Sequence, residues 1–196
     1  MADIWLIRHG TYAGHRPGLH APHGAALTAE GRQQVRRALP LPDDITAIVA
    51  SPIPRAHQTA TLISHLTGLP IIATSGLLAE WRAPSIVLGR TPETYPPAYR
   101  TWRTHRLTTP SSRCEDGESL TDFHTRAHHC ATFLHHTAQH HGSILAVSHF
   151  LLLGVLTRLR EGPAAFAAAA ASSWAFAERR RLDPAGGPRE GRLIDR

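Results

Sequence analysis

The sequence contains no lysine, so every one of the 21 residues counted as lysine or arginine is an arginine. The guanidinium group binds phosphate or carboxylate oxygens in pairs, which favours an anionic substrate as a hypothesis. The sequence has a single tight cluster of basic residues, and this argues against a nucleic-acid partner. Its one tight basic cluster, residues 179–181, is interpreted as a solvated strand end.

Cysteine is scarce and long apolar runs are absent. Cys114 and Cys130 match no metal-ligand or redox spacing and give no disulfide framework, which is typical of a reducing compartment. No apolar run approaches the length of a membrane span, and no signal sequence precedes the first strand-like segment. We therefore expect a cytoplasmic protein that makes no contact with a membrane.

The remaining composition is that of an ordinary globular domain. The chain has 196 residues, of which 42% are hydrophobic and 18% are charged. That length is sufficient to bury a core without disulfides or a structural metal, so we expect one domain over residues 1–196. The alanine-rich segment 164–171 and the last strands could pack internally or against a second subunit, so the sequence leaves a homodimer open.

Apolar, strand-like segments alternate with helical segments along the chain. Strands are predicted at 3–7, 45–50, 70–73 and 143–147, with two final strands at 172–177 and 192–194. Helices are predicted from the N-cap Thr28 to about Leu39, from Ser51-Pro52 to about Thr67, from Ser119 to about His141, and over 150–159 and 164–171. This alternation predicts an α/β fold, a three-layer α/β/α sandwich with a mainly parallel central sheet.

One long irregular stretch, at about 75–118, interrupts the alternation. A segment of this kind inside a compact domain is usually a functional insertion, here a substrate cap. It carries four aromatic residues and six arginines: Trp81, Tyr95, Tyr99, Trp102, Arg82, Arg90, Arg100, Arg103, Arg106 and Arg113. This combination suits a flat or multiply anionic leaving group, and the alternative is that the aromatic rings pack the insert onto the domain.

Histidine or arginine follows three of the predicted strands. Arg8 and His9 come after the first strand, Arg55 lies one helical turn after the second, and His149 follows the strand 143–147. Ligands of parallel α/β sheets bind where the strands end, so these side chains are expected to converge at one sheet edge.

Six short motifs occur in a fixed order. They are Leu6-Ile7-Arg8-His9-Gly10, Leu27-Thr28-x-x-Gly31-x-x-Gln34, Ser51-Pro52-x-x-Arg55-Ala56-x-x-Thr59-Ala60, Leu78-Ala79-Glu80, Gly117-Glu118-Ser119 and Val147-Ser148-His149. In this order they resemble the histidine phosphatase superfamily, which includes cofactor-dependent phosphoglycerate mutases and many small-molecule phosphatases. The resemblance implies a phosphoglycerate mutase-like fold and a catalytic set of Arg8, His9, Arg55, Glu80 and His149.

The chemistry of phosphate esters fits this set. A phosphate monoester dianion repels nucleophiles, so donors from Arg8, Arg55 and His149 would neutralise it before attack. The same positive charges favour the neutral form of His9, whose ordinary pKa is about 6.5, and neutral imidazole is a nucleophile. This scheme calls for no metal and no other cofactor.

The resemblance assigns Glu80 as the proton donor to the leaving group. Afterwards Glu80 would deprotonate the water that hydrolyses the phosphohistidine. Glu118 and Asp116 are the alternative acids. A surface carboxylate paired with Arg82 is the structural alternative for Glu80.

The chain also departs from the family pattern in the loop after Gly10 and after His149. Thr11 could supply a hydroxyl to the phosphate, and Tyr12 and His15 could line the pocket or simply shape the loop. Phe150 stands where a small glycine is common, and its ring could narrow the pocket or contact substrate. Together with Trp81 and Arg82 of the insert, these residues form the predicted substrate-binding set.

We therefore expect a metal-independent histidine acid-type phosphatase that hydrolyses a small-molecule phosphate monoester: a nucleotide, a sugar phosphate or a biosynthetic intermediate. The alternatives are a phosphoglycerate mutase-type phosphotransferase and a non-catalytic phosphate-ligand binding protein. Histidines on the helix 119–141 invite a metal interpretation, since His124 and His128 are one turn apart. The other histidines of this helix point around it rather than at one focus, so no metal site is expected there.

Overall fold

The computed structural model describes residues 2–183, and a five-stranded sheet forms its centre. The strands are β1 (Ile4–Arg8), β2 (Ile45–Ala50), β3 (Ile71–Thr74), β4 (Ser143–Ser148) and β5 (Arg179–Arg181). Their order is β3-β2-β4-β1-β5; β5 runs antiparallel to β1 and the other pairs are parallel. β1 and β4 lie side by side with Arg8 opposite Ser148, so the residues that follow them leave the sheet at the same edge.

Helices cover both faces of the sheet. They are α1 (Ala29–Arg37), α2 (Pro54–Thr67), α3 (Pro97–His105), α4 (Leu120–His141), α5 (Phe150–Leu156) and α6 (Ala165–Ala171). Side chains of β4 alternate between the two hydrophobic clusters: Ile144 and Ala146 pack on one face, Leu145 and Val147 on the other. A strand buried on both faces reads as a continuous apolar run, which explains its composition. The predicted three-layer α/β fold is confirmed.

Local signals at the helix ends act largely as the sequence indicates. Thr28 caps α1 by accepting a hydrogen bond from the Gly31 amide at 3.0 Å, and Gly68, with φ 77°, ends α2 in the left-handed region. The predicted start of α2 at Ser51-Pro52 is wrong, because the helix begins at Pro54. The Ser51 amide donates to the Val147 carbonyl at 3.0 Å and thereby continues the sheet edge instead.

Three other predicted elements differ. Residues 172–177 form no strand; Ala177 has φ 57°, which breaks an extended conformation, and the strand follows at Arg179–Arg181. The predicted helix 150–159 ends at Leu156, and a 3-10 segment follows at Leu159–Ala164. The insert is partly helical: it contains α3 and 3-10 turns at Gly76–Leu78, Ser85–Val87 and Pro92–Thr94.

Two further expectations concern the ends of the chain and the membrane. The predicted strand 192–194 lies outside the described residues. Within residues 2–183, no helix combines the length and the apolar character needed to cross a membrane.

Candidate active site

A cavity of about 240 Å³ opens at the edge where β1 and β4 end. Its walls come from the β1–α1 loop, the first turns of α2 and α5, and the insert. Of the residues predicted to act in catalysis or substrate binding, those that line it are Arg8, His9, Tyr12, His15, Arg55, Glu80, Trp81 and Phe150. The strand-end side chains therefore converge as the parallel topology predicts.

The imidazole of His9 lies at the base of this cavity in a fixed orientation. Its Nδ1 lies 2.7 Å from the carbonyl oxygen of Gly10, which can only accept, so Nδ1 carries the proton. Its Nε2 accepts a hydrogen bond from Nε of Arg55 at 3.2 Å. Gly10 is required here, because a Cβ at this position would lie 2.5 Å from the carbonyl oxygen of Gly31. The loop thus leaves Nε2 unprotonated, with its lone pair directed at Nε of Arg55.

Burial and neighbouring charge keep this ring neutral. The residue is only 3% exposed. Desolvation, followed by the positive charges of Arg55 and Arg8 and by His15, lowers the pKa of His9 from 6.5 to about 3, against an opposing contribution from the Gly10 hydrogen bond. At neutral pH the ring is uncharged and lies beside two guanidinium groups.

Aromatic rings and backbone carbonyls hold the two arginines. The Arg8 guanidinium lies 3.9 Å from the ring centroid of Phe176 and 5.2 Å from that of Phe150, and its Nη1 donates to the Trp174 carbonyl. The buried Nε of Arg8 has no hydrogen-bond partner within the described part of the chain. This donor is available to an anion in the cavity.

Arg55 reaches the cavity from the first turn of α2. Besides the bond to His9, its Nη1 donates to the Pro22 carbonyl at 3.3 Å, and its guanidinium lies 5.0 Å from the ring centroid of Tyr12. Burial lowers the pKa of Arg55, and Glu80 and Tyr12 oppose that shift. Both arginines nevertheless remain cations, because a guanidinium does not lose its proton in proteins.

His149 lies behind His9 rather than in the cavity wall. It is fully buried, and the centroids of the two rings are 5.0 Å apart. Its Nε2 pairs with the Ser51 hydroxyl at 2.8 Å, while Nδ1 has no hydrogen-bond partner among residues 2–183. Burial first, then His9 and the nearby arginines, lower the pKa of His149 well below 6.5. It is a neutral imidazole with one nitrogen to spare.

Glu80 is the carboxylate that lines the cavity, and backbone amides fix its position. Its oxygens accept hydrogen bonds from Leu151 at 3.0 Å, Leu152 at 3.1 Å and Trp81 at 3.0 Å. The first two amides belong to the N-terminal turn of α5, whose free N–H groups suit a negative charge. The acid is therefore anchored to the helix that follows His149.

The other candidate acids lie elsewhere. Asp116 accepts from the Ser85 amide at 2.8 Å, and Glu118 forms an ion pair with Arg126 at 2.8 Å; neither lines the cavity. The Glu80 oxygens bond to backbone amides rather than to Arg82. Glu80 alone among these three acids lines the cavity together with His9.

Two residues of the predicted substrate-binding set do not reach the cavity. Thr11 donates both its amide and its hydroxyl to Oε1 of Gln34, at 2.8 and 3.0 Å. Arg82 is exposed, and its amide donates to Glu118 at 3.2 Å. None of the six insert arginines lines the cavity, and the aromatic residues Tyr95, Tyr99 and Trp102 are buried in the core cluster, as the packing alternative holds.

The outer wall contains residues that the sequence did not single out. Polar side chains here are Arg16, His20 and His23, and apolar ones are Leu19 and Leu88. His20 pairs with Leu88 in an isolated β-bridge, which joins the β1–α1 loop to the insert. Phe176 was also missed, although its ring lies 5.8 Å from His9 and 4.9 Å from His15. The sequence feature that could have indicated the outer wall is the composition of the loop 15–23, which contains three histidines and an arginine.

No metal centre is evident around these residues. Among residues 2–183, no group of three or more histidine, cysteine, aspartate or glutamate residues is arranged to hold an ion. On α4, the ring centroids of His124 and His128 are 4.6 Å apart, and those of His136 and His140 are 4.2 Å apart. The positive charge in the cavity comes from arginine.

Comparisons with known proteins agree with this geometry. Similar solved structures include the alpha-ribazole phosphatase from Shigella flexneri, with 27% identity, a TM-score of 0.65 and coverage of 79% of this chain and 77% of that one. The product of open reading frame Rv3214 from Mycobacterium tuberculosis has 26% identity and a TM-score of 0.65, with 91% and 89% covered. A mycobacterial glucosyl-3-phosphoglycerate phosphatase, 20% identical, shares the fold with a TM-score of 0.69 over 92% and 89% of the chains.

A search of curated protein sequences gave no match. The family model for the histidine phosphatase superfamily (branch 1) matches residues 4–172. The match spans β1 to the end of α6 and includes every residue of the predicted catalytic set. Family and neighbours together support a phosphatase, and the extent of the match shows that this chain belongs to the histidine phosphatase superfamily, branch 1.

Proposed function

We propose that the protein hydrolyses small-molecule phosphate monoesters through a phosphohistidine on His9, without a metal. The observation that carries this proposal is the orientation of His9. Its Nδ1–H is fixed by Gly10, so Nε2 is the unprotonated nitrogen; it lies 3.2 Å from Nε of Arg55, and the His9 side chain lines the cavity. A neutral nitrogen nucleophile among guanidinium groups is the arrangement that attack on a phosphate dianion requires.

In the first half-reaction, Arg8 and Arg55 bind the phosphoryl oxygens. The Nε–H of Arg55 turns from Nε2 of His9 to a phosphoryl oxygen, and the freed lone pair of Nε2 attacks phosphorus. The N–P bond forms as the ester P–O bond breaks, and the protonated carboxyl of Glu80 gives its proton to the leaving oxygen. The three amides bonded to Glu80 favour its carboxylate, and the negative charge of the bound dianion opposes them and favours the protonated carboxyl at this stage. His149, whose ring centroid is 5.0 Å from that of His9, supports the nucleophile from behind in this scheme.

In the second half-reaction, water attacks the phosphohistidine. The Glu80 carboxylate takes a proton from that water, the N–P bond breaks, and the electron pair returns to Nε2 of His9. Inorganic phosphate leaves, and the enzyme regains the neutral imidazole and the protonated acid. One carboxyl group thus serves both steps.

The leaving group occupies the outer cavity, where Arg16, His20 and His23 offer polar contacts between the apolar side chains of Leu19 and Leu88. This mixed wall suits a polar, ring-containing leaving group such as a sugar or a nucleoside. The alpha-ribazole phosphatase activity of the Shigella flexneri neighbour makes alpha-ribazole phosphate the first compound to test.

The test is a phosphate-release screen over alpha-ribazole phosphate, nucleotides, sugar phosphates and phosphoamino acids. Wild type is compared with His9→Ala and with His57→Ala, which removes an exposed histidine of α2. We expect activity and an acid-labile phosphoenzyme in wild type and His57→Ala, and neither in His9→Ala. Activity that survives in His9→Ala would refute the nucleophile, and phosphate return that depends on a bisphosphate primer would indicate a mutase.

A further inference from the structure

Glu80 lies in a segment that is held on both sides by one partly buried ion pair, Arg126 with Glu118. Neither residue lines the cavity. We propose that this pair positions Glu80 for proton transfer, so that Arg126 and Glu118 are positioning residues of the reaction. The proposal rests on the function proposed above, in which Glu80 is the general acid.

Arg126 holds the backbone that leads into Glu80. From α4, its Nη1 donates to the carbonyl oxygens of Leu77 at 3.2 Å and Ala79 at 2.7 Å, and its Nη2 donates to that of Glu80 at 3.2 Å. The planar guanidinium offers donors in a fixed fork, so these carbonyls are fixed relative to α4 as a unit. A lysine could not reproduce this geometry, because its three N–H donors all belong to one nitrogen atom.

Glu118 holds the backbone that leaves Glu80. Its main-chain carbonyl accepts the indole N–H of Trp81 at 2.9 Å, and its amide donates to the carbonyl of Arg82 at 2.9 Å. Its Oε2 also accepts the amide of Arg82 at 3.2 Å. The segment on either side of the acid is therefore tied to the same two residues.

The pair itself is rigid. Nε and Nη2 of Arg126 donate to the two carboxylate oxygens of Glu118, each at 2.8 Å, and the side chains are 19% and 11% exposed. A bidentate pair with little solvent access keeps its geometry better than a single exposed contact. The carboxylate of Glu80 is held separately by the amides of α5, so the pair controls the backbone while α5 controls the charged end.

This arrangement has a kinetic consequence. Proton transfer to a leaving group requires the acid within hydrogen-bond reach, and a displacement of about 1 Å is enough to cost about 100-fold. Loosening the backbone at Glu80 should therefore slow esters with poor leaving groups, which need the proton. Esters with good leaving groups, which do not need it, should be nearly unaffected.

The experiment compares Arg126→Met with wild type in single-turnover measurements of leaving-group release. The substrates are p-nitrophenyl phosphate, which has a good leaving group, and glycerol 2-phosphate, which has a poor one. Arg113→Met is the matched control, because its pair with Asp122, at 2.8 Å, also involves α4 but is 56% and 42% exposed and does not touch the Glu80 segment. Glu80→Gln gives the rate loss on each substrate when the acid itself is removed.

We expect Arg126→Met to lower the rate about 100-fold on glycerol 2-phosphate and less than about threefold on p-nitrophenyl phosphate. Arg113→Met should leave both rates unchanged. Glu118→Gln, which keeps the shape of the pair, serves as the second variant and should show the same selective loss to a smaller degree.

An equal loss on both substrates in folded Arg126→Met or Glu118→Gln would overturn the positioning role. If only Glu80→Gln loses the poor substrate selectively, the inference fails and the proposed acid stands. If Glu80→Gln itself shows no selectivity, the acid assignment fails instead.

Discussion

Lowering the pH should destabilise this protein through His9, because burial lowers the pKa of this side chain in the folded state. Its pKa falls from 6.5 to about 3 on folding. Between these values the unfolded chain binds a proton that the folded chain does not, so the free energy of unfolding falls as the pH drops from about 6.5 to about 3. The slope is about 1.4 kcal/mol per pH unit for one proton, which gives about 3 kcal/mol between pH 7 and pH 4.

Urea denaturation at pH 7, 6, 5 and 4 measures this directly when wild type is compared with His9→Gln. Carboxylates also contribute to the acid dependence, but they remain in both proteins, so the difference between the two curves reports His9 together with its effect on the pKa of His149. We expect the stability of His9→Gln relative to wild type to rise by about 3 kcal/mol between pH 7 and pH 4. His57→Gln, which removes an exposed ring, should follow the wild-type curve.

Parallel curves for wild type and His9→Gln would refute this reasoning. They would mean that the folded protein protonates His9 as readily as the unfolded chain does. In that case the ring would be a cation at moderately acid pH, and a neutral nucleophile could not explain activity there.

Three other substitutions test the site and its support. Arg55→Gln should lower kcat/KM about 100- to 1000-fold without unfolding the protein, because a charged donor to the phosphoryl group is lost; circular dichroism checks the fold. Phe176→Leu removes the ring 3.9 Å from Arg8, and the inhibition constant for inorganic phosphate should rise about two- to tenfold; no change would dismiss the contact. Gly31→Ala places a Cβ 2.1 Å from the Thr11 carbonyl oxygen, so the free energy of unfolding, measured by urea denaturation, should fall by about 2 kcal/mol.

The sequence was most informative where strands end. A buried strand has an apolar run of recognisable length, and parallel strands open at one edge, so the approach of Arg8, His9, Arg55 and His149 follows from topology. The distances between these side chains could not be predicted from the topology. The placement of His149 behind His9, and not in the wall, depends on the register of β4 and on Ser51.

The insert was the least predictable part. Composition alone could not tell arginines that face substrate from those that face solvent, because the insert has no single period to set a face. Arg126, nearly fifty residues further along the chain, donates hydrogen bonds to the backbone of the segment that begins at residue 77. A contact between residues so far apart in sequence cannot be predicted from a local sequence pattern. The loop 14–24 likewise gains its place in the wall through its bridge to Leu88.

The position of β1 in the sheet has a consequence for synthesis of the chain. β1 is made well before its partners β4 and β5, and Phe176 covers Arg8 from beyond both the insert and α6. While the ribosome is still adding the intervening residues, Ile4, Leu6 and Ile7 form an apolar segment with no strand to pair with, a segment prone to association. The loop after β1 that carries His9 therefore stays unfinished until β4, β5 and Phe176 have emerged, and folding must close contacts of long sequence separation, which is slow.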